Sequence, residues 1–479
     1  MSKPTVVIAG AAGYVGMPLV ERLSEHFDVI GLSRSARSSR AGVEWRTCDL
    51  LSGRDAVAAV AGAELAIYLV HSMLPSDHLV QGSFEDFDLQ AADNFARACA
   101  VHGVRQIVYL GGLIPVDVPR DHLSRHLSSR AEVEIALGAK GVPVTVLRAG
   151  LVLGAGGSST EIMLRMARRL PVMICPRWTN TPTQPIALED ILELLEWVLG
   201  REDTYGRTYD VGGAEVITYR ELMRMAGERL GRTPRTLSVP LITPRLSRLW
   251  ISLVTGAPKA LAAPLVESLS HVMVARDRAL QERAGIPGRP LAQTIADALE
   301  ASSEARPRAF RAGAGRGTPV VRSVQRFTET RLSPGEAASE YFRWLGERFA
   351  SLLWVSGSDH PERLIRFASD RGPVMLRFRL DSSVSTADRV VYDIAGGLLV
   401  RKGLCGRFEF RSVLESGTIL CSVQGFSPRL WWPLYVVTQA RLHLVVMKAF
   451  ARHLRRSFPV LSAGVIAGDS RREAPSGSL

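Results

Sequence analysis

The sequence predicts an α/β fold built on a doubly wound parallel sheet with a small substrate region, followed by a C-terminal α+β domain. Three observations carry this reading. Residues 5–153 alternate short β-branched runs with helix-like stretches, the pattern of a parallel sheet covered on both faces. A glycine loop, Gly10-Ala11-Ala12-Gly13-Tyr14-Val15-Gly16, follows the first of those runs. Beyond residue 319 the hydrophobic period drops to two, as in antiparallel strands with one wet face.

Thr5–Ala9 is the first strand and Met17–Leu23 the helix after it. Val29–Leu32, Ala66–Val70, Ile107–Leu110 and Val144–Leu147 are later strands, and Asp88–Ala100 is a helix with apolar residues at Leu89, Ala92, Phe95, Ala96 and Cys99. Residues 154–300 are less regular: Glu161–Arg169, Glu189–Leu199 and Tyr219–Leu230 read as helices between Pro-rich loops, and Thr208–Val211 as one more strand. Residues 302–318 have Gly, Ala and Arg and almost no core formers, so they read as a linker. In Val374–Leu380 the apolar Leu376, Phe378 and Leu380 alternate with arginines, and in Arg407–Arg411 Phe408 and Phe410 alternate with Arg407, Glu409 and Arg411. A long helix follows, with Leu442, Val445, Val446, Ala449 and Phe450 expected on its buried face and Arg441, Lys448, Arg452 and Arg455 outside. The expected division is 1–301 for the first domain, with its substrate region from about 154, then 302–318, then 319–467, then a disordered tail over 468–479.

Composition narrows the function classes. Of 479 residues, 59 are Lys or Arg and 47 Asp or Glu, a formal charge of +12. Only five of the basic residues are Lys, a skew that fits a GC-rich genome. The cations are spread along the chain with no nucleic-acid reading motif, so no nucleic-acid partner is expected. Five scattered cysteines form no CxxC pair, which argues against a zinc site or a disulfide framework, and no metal is expected. There is no signal-peptide pattern, and Gln439, Arg441 and His443 interrupt the longest apolar stretch, so a soluble cytoplasmic protein is expected.

The glycine loop carries the chemistry. Glycines three apart between a strand and a helix permit a tight turn, close backbone approach to a pyrophosphate, and helix–strand packing, while the helix N-terminus offers N–H donors. An NAD-preferring site would place an acidic residue at the end of the second strand, but that strand ends Ser33-Arg34-Ser35-Ala36-Arg37, and Asp28 comes too early. Ser33, Arg34 and Arg37 suit a 2′-phosphate, so NADPH is expected rather than NADH. Asp49, beside Leu50, suits either an adenine contact or an exposed loop.

Tyr68-Leu-Val-His71-Ser72-Met73, Tyr109-Leu-Gly111-Gly112-Leu113, Arg148-Ala149-Gly150-Leu-Val-Leu-Gly154, Leu170–Trp178 and Thr181–Ile186 accompany the GxxGxxG loop. In this combination the chain resembles the atypical branch of the short-chain dehydrogenase/reductase family, a Rossmann fold. It is most similar to bacterial NAD(P)H-binding proteins with an uncharacterised C-terminal domain. Val321–Arg326, Tyr341–Trp344 and Gly406–Phe410 fit the same architecture, and the C-terminal part resembles the helix-grip fold of START and polyketide-cyclase-like domains. The resemblance implies that Leu69, Val70 and His71 line the ribose side, that Gly111, Gly112 and Leu113 face the nicotinamide, and that Ala149 and Gly150 lie nearby.

Active members of that family use a Tyr with a Lys four residues later, and none of the nine tyrosines here has one. At the place of that pair stand His126 and Arg130, which share a helix face. His126 suits a general acid and Arg130 a ribose or anion contact; both also read as ordinary surface residues of a basic stretch. Arg177 and Trp178, in a Pro-rich loop, suit a substrate-pocket wall. Trp431-Trp432-Pro433 reads as buried under the sheet rather than as a membrane wedge, and the last helix allows at most peripheral membrane contact. Two functions stay open: an NADPH-dependent oxidoreductase acting on a carbonyl or activated double bond of a small substrate, polar or hydrophobic, and a non-catalytic NADPH-binding sensor or assembly protein whose C-terminal domain binds a hydrophobic ligand.

Overall fold

The computed structural model describes residues 3–71, 79–115, 117–169, 172–232, 235–239, 254, 256, 258, 266–304, 320–356, 362–401, 406–414 and 417–460. The chain forms two units, Met1–Gln325 with Ser422–Ser427, and Arg326–Cys421 with Pro428–Leu479. Most of the expected linker and all of the expected tail lie outside the described residues.

The first unit is built on strands β1 (Thr5–Ala9), β2 (Asp28–Ser33), β3 (Val43–Thr47), β4 (Leu65–Tyr68), β5 (Leu79–Gln81), β6 (Gln106–Gly112) and β7 (Val144–Ala149). Its central sheet is parallel throughout, in the order Thr208–Val211, β7, β6, β4, β1, β2, β3. Val6, Val7, Ile8, Ile67, Ile107 and Val108 are fully buried, which is why these strands read as unbroken apolar runs. Helices α1 (Gly16–Leu23), α2 (Gly53–Val60), α3 (Phe84–Val101) and α4 (Arg125–Gly138) connect them. α2, α3 and α4 pack side by side in one layer, and α1 packs against Leu188–Val198 in the other. The strand order reverses between β1 and β4, and it is at such a switch point that open α/β sheets bind ligands. β5 lies outside this sheet and pairs in parallel with Val321–Ser323 of the same unit.

Side-chain caps fix where the site helices start. Ser83 accepts the Asp86 N–H at the start of α3, and Ser124 accepts the Leu127 N–H at the start of α4. Ser124 Oγ also pairs with Ser268 Oγ at 2.9 Å, and its N–H donates to His271 Nε2 at 3.3 Å, which ties α4 to the later part of the unit.

The second unit places the helix Pro334–Arg348 and the C-terminal helix Gln439–Ser457 with an antiparallel sheet. Its strands Leu353–Val355, Glu362–Phe367, Val374–Leu380, Arg389–Gly396 and Gly406–Ser412 neighbour one another in chain order, and the start of Ile419–Phe426, as far as Cys421, follows them. A Ser333/Glu336 capping box with Pro334 in the first turn starts the first helix. Tyr341 contacts Phe342, Phe408, Phe410 and Phe450 at ring-centroid separations of 5.1–6.0 Å, so aromatic rings fill the interior.

Three expectations are corrected here. The C-terminal helix buries Ala440, Met447, Phe450 and Leu454, while Leu442 and Val445 are 59% and 60% exposed. This helix is apolar over more than half its circumference, and contacts of Phe450 with Phe327, Tyr341 and Trp344 decide which stripe turns inward. The supposed wet face of Gly406–Ser412 is dry at Glu409 and Arg411: Glu409 accepts two hydrogen bonds from Arg389, at 2.8 and 3.1 Å, and one from Arg411 at 2.5 Å, so the charges are buried as a network. Trp431 is 74% exposed instead of buried, and only Trp432 turns partly inward, stacking on Tyr435.

Candidate active site

The glycine loop connects β1 to α1. Gly10 has φ +86°, and a side-chain carbon there would stand 3.1 Å from the Leu69 carbonyl carbon. The same atom at Gly16 would stand 2.2 Å from Gly10 O and 2.7 Å from Ala11 Cα, so this glycine lets the helix start close under the turn. Gly13 is exposed at the tip, and its N–H donates to Gly10 O at 2.9 Å. Val15, the N-cap of α1, makes no side-chain cap, and the first turn has no acidic residue, so the positive end of the helix keeps open N–H donors. Ala11 is buried and Ala12 half-buried. Tyr14 turns away to pack over Gly154 and Gly157, where added side-chain carbons would meet its ring and hydroxyl at 2.6–2.9 Å. Burial raises its phenol pKa.

At the end of β2, Ser33 is buried and bonds the Ser35 N–H, while Arg34 and Arg37 are exposed. The Arg37 guanidinium lies 4.9 Å over the Trp45 ring. Asp49 is held by Arg322 through a 2.5 Å ion pair, and the Leu50 carbonyl accepts a bond from Asn94.

The ends of β4 and β6 converge on a polar cluster. The Leu69 N–H donates to Ala9 O, which carries the β1–β4 pairing one residue further; Val70 and His71 follow, both half-buried. His71 Nδ1 lies 2.8 Å from Asp88 Oδ2 of α3, and the His71 ring lies 5.0 Å from that of His126 of α4. One turn later Arg130 Nη1 donates to Tyr109 Oη at 3.5 Å, and its Cγ lies 3.5 Å from where a side chain on Gly112 would begin. Gly111 lies against the Tyr109 ring. Leu113 donates to Ala149 O at 3.0 Å and packs against Gly150, closing the floor between β6 and β7. His71 Nε2, His126 Nδ1 and the Tyr68 hydroxyl are buried with no hydrogen-bond partner among the described residues, a condition that native interiors seldom leave unexplained.

The electrostatics define what this cluster can do. Burial and the nearby Arg130 lower the His71 pKa, although Asp88 opposes them. Burial, His71 and Arg130 hold His126 well below the ordinary histidine range. Both imidazoles are therefore neutral at pH 7. His126 is not a standing imidazolium acid but an acceptor that becomes a strong donor once protonated. Arg130 stays charged between Tyr109, Asp88 and Tyr68.

Of the predicted residues, the structure brings Gly10 to Leu69, His71 to His126, Gly112 to Arg130, and Leu113 to Ala149 and Gly150. Arg177 is exposed, and Trp178 packs against the core around Leu164 and Leu222 with its ring edge-on to Tyr219. Sequence reasoning missed Asp88, Tyr68 and Tyr109 as site members. The available signal was α3, whose buried side carries Asp88, Gln90, Asp93 and Asn94 among its apolar residues.

Residues 6–121 match the NAD dependent epimerase/dehydratase family. The chain is 30% identical over 145 residues to the auxiliary protein GraX of Staphylococcus aureus, and the aligned part is 30% of this chain and 43% of that protein's length. Among solved structures it is similar to a nucleoside-diphosphate-sugar epimerase from Staphylococcus aureus (15% identity, TM-score 0.49, 61% of this chain and 99% of that one). It is also similar to an NADPH-dependent quinone oxidoreductase from Escherichia coli complexed with NADPH (17% identity, TM-score 0.48, 61% and 98%). The first unit has the parallel central sheet of a Rossmann-like α/β fold, and the match to the NAD dependent epimerase/dehydratase family falls within it.

Proposed function

We propose that the protein is an NADPH-dependent oxidoreductase acting on a carbonyl or activated double bond of a small, hydrophobic substrate. One observation carries the reading: an uncapped glycine loop and a cluster of orphaned polar atoms meet at the reversal point of a parallel sheet. The residues present fit a dinucleotide. Backbone N–H groups over Tyr14–Gly16 would hold the pyrophosphate, Arg34 and Arg37 the 2′-phosphate, and Leu69–His71 with Gly111–Leu113 the ribose and ring side. When bound, NADPH supplies a hydride.

The chain's own residues manage the proton. Asp88 fixes the His71 tautomer with the proton on Nδ1 and leaves Nε2 as an unfilled acceptor. His126 exchanges the substrate proton, and Arg130 holds the oxygen on which negative charge develops. A second reading, a non-catalytic NADPH sensor, is favoured by the neutrality of His126 and by the lack of a Tyr–Lys pair. For the C-terminal part of the chain, the order strand, helix, six strands, long helix supports the helix-grip reading; a hydrophobic ligand would have to displace the rings around Tyr341. Turnover of NADPH with a panel of quinones, aldehydes and enones separates the two functions. The oxidoreductase reading expects turnover that His126→Ala abolishes, whereas binding without turnover of any panel member supports the sensor.

A further inference from the structure

The start of the C-terminal helical segment has an unusual surface. Trp431, Leu434, Val437, Leu442 and Val445 are 44–74% exposed, although the same unit buries Trp344, Leu345 and Val391. On the helix Gln439–Ser457, Leu442 and Val445 share the outward face with Arg441, Lys448 and Arg452, opposite Met447, Phe450 and Leu454. Across residues 416–468 there are six basic residues, Arg429, Arg441, Lys448, Arg452, Arg455 and Arg456, and no Asp or Glu. At the chain's average of 47 acidic residues in 479, a stretch of that length would hold about five. Among the described residues no helix is long and apolar enough to cross a membrane.

These features together point to one occupant. An exposed Trp two residues before a Pro, aliphatic side chains interleaved with cations, and a stretch of chain without a carboxylate, whose helix meets Glu340 only through the inward-lying His453, match an interface that is apolar within and negatively charged at its rim. A second copy of this chain is a poor fit, because a two-fold contact would set six cations against six. We propose that this face is a peripheral docking surface for an anionic phospholipid bilayer. Trp431, Leu442 and Val445 enter the boundary between headgroups and acyl chains, and Arg441, Lys448 and Arg452 meet lipid phosphates.

The test is sedimentation of the full chain with vesicles of phosphatidylcholine alone and of phosphatidylcholine mixed with phosphatidylglycerol, with free inorganic phosphate as a competitor. The expected result is pelleting only with the anionic vesicles, lost at high salt and insensitive to phosphate at concentrations that leave ionic strength unchanged. Arg441→Gln with Lys448→Gln should weaken binding roughly 25-fold, about fivefold per cation. Trp431→Ala should weaken it with no change in thermal midpoint, since that ring is exposed. Equal pelleting with neutral vesicles, no pelleting with either, or displacement by free phosphate would overturn the proposal. So would a dimer in sedimentation velocity that Trp431→Ala dissociates.

Discussion

The glycines of the nucleotide loop should not be equivalent, and the structure ranks them. Gly16→Ala would drive a methyl carbon to 2.2 Å from Gly10 O and 2.7 Å from Ala11 Cα. Both neighbours are backbone, so neither can swing aside. Overpacking of this kind costs about 1–3 kcal/mol or more in a close-packed interior. At about 2–4 °C per kcal/mol for a unit of this order of size, the midpoint should fall by roughly 5–10 °C. Gly13→Ala meets only Gly10 O, at 3.0 Å, and the residue is exposed, so its stability cost should be small. In the proposed cofactor site its methyl group would instead crowd the pyrophosphate. Calorimetry without ligand and NADPH titration by nicotinamide fluorescence separate the two effects. Gly16→Ala should lose stability first, and Gly13→Ala should lose affinity with a near-native midpoint. A stable Gly16→Ala, or a Gly13→Ala that binds NADPH like the wild type, would refute the assignment of the loop.

Further outcomes follow from individual side chains. Arg34→Ala should weaken NADPH by about 10- to 150-fold, the range for one charge-assisted hydrogen bond, and leave NADH nearly unchanged; equal losses for both would remove the 2′-phosphate role. Because the His126 pKa is depressed, its protonated form becomes scarcer above that value. Reduction of a carbonyl substrate should therefore slow about tenfold per pH unit through neutrality, and His126→Gln should flatten that slope; a wild-type rate independent of pH would count against proton donation by His126. In the C-terminal helix, burial lowers the His443 pKa to about 4 from 6.5. A depressed folded value means that the unfolded chain binds the proton first, so this contribution is complete above pH 6.5 and is lost as pH falls toward 4. The loss is at most about 3 kcal/mol, and His443→Leu should blunt the acid decline in thermal midpoint.

The sequence was most informative where a local rule and the tertiary environment coincide. β1, β4 and β6 are buried on both faces, so their apolar runs could mean little else. The glycine loop was legible because spacing, preceding strand and following helix all encode one turn. The His71–Asp88 contact was not legible: it joins a loop to a helix 17 residues on, and its direction depends on how α3 lies on the sheet. His126 read more readily as a surface residue, and it is the 5.0 Å approach of His71 and the burial of its Nδ1 that place it in the cluster. The last helix shows the opposite failure. Its apolar positions span too wide an arc for periodicity to choose a buried face, and the aromatic core around Tyr341 makes that choice. Glu409 and Arg411 alternate with phenylalanines like a wet strand face, but with Arg389 of the neighbouring strand they compensate one another in the interior, which a hydropathy pattern cannot register.

The central claim is that a nicotinamide dinucleotide lies across the reversal of the sheet, with its pyrophosphate on the loop that opens α1. Equilibrium titration of the full chain with NADPH, beside Gly13→Asp, tests it most directly. The account predicts saturable binding by the wild-type chain and none by the variant, with both chains unfolding at the same temperature when no nucleotide is present. Wild-type protein that does not bind NADPH, or a variant that binds it equally well, would contradict the account.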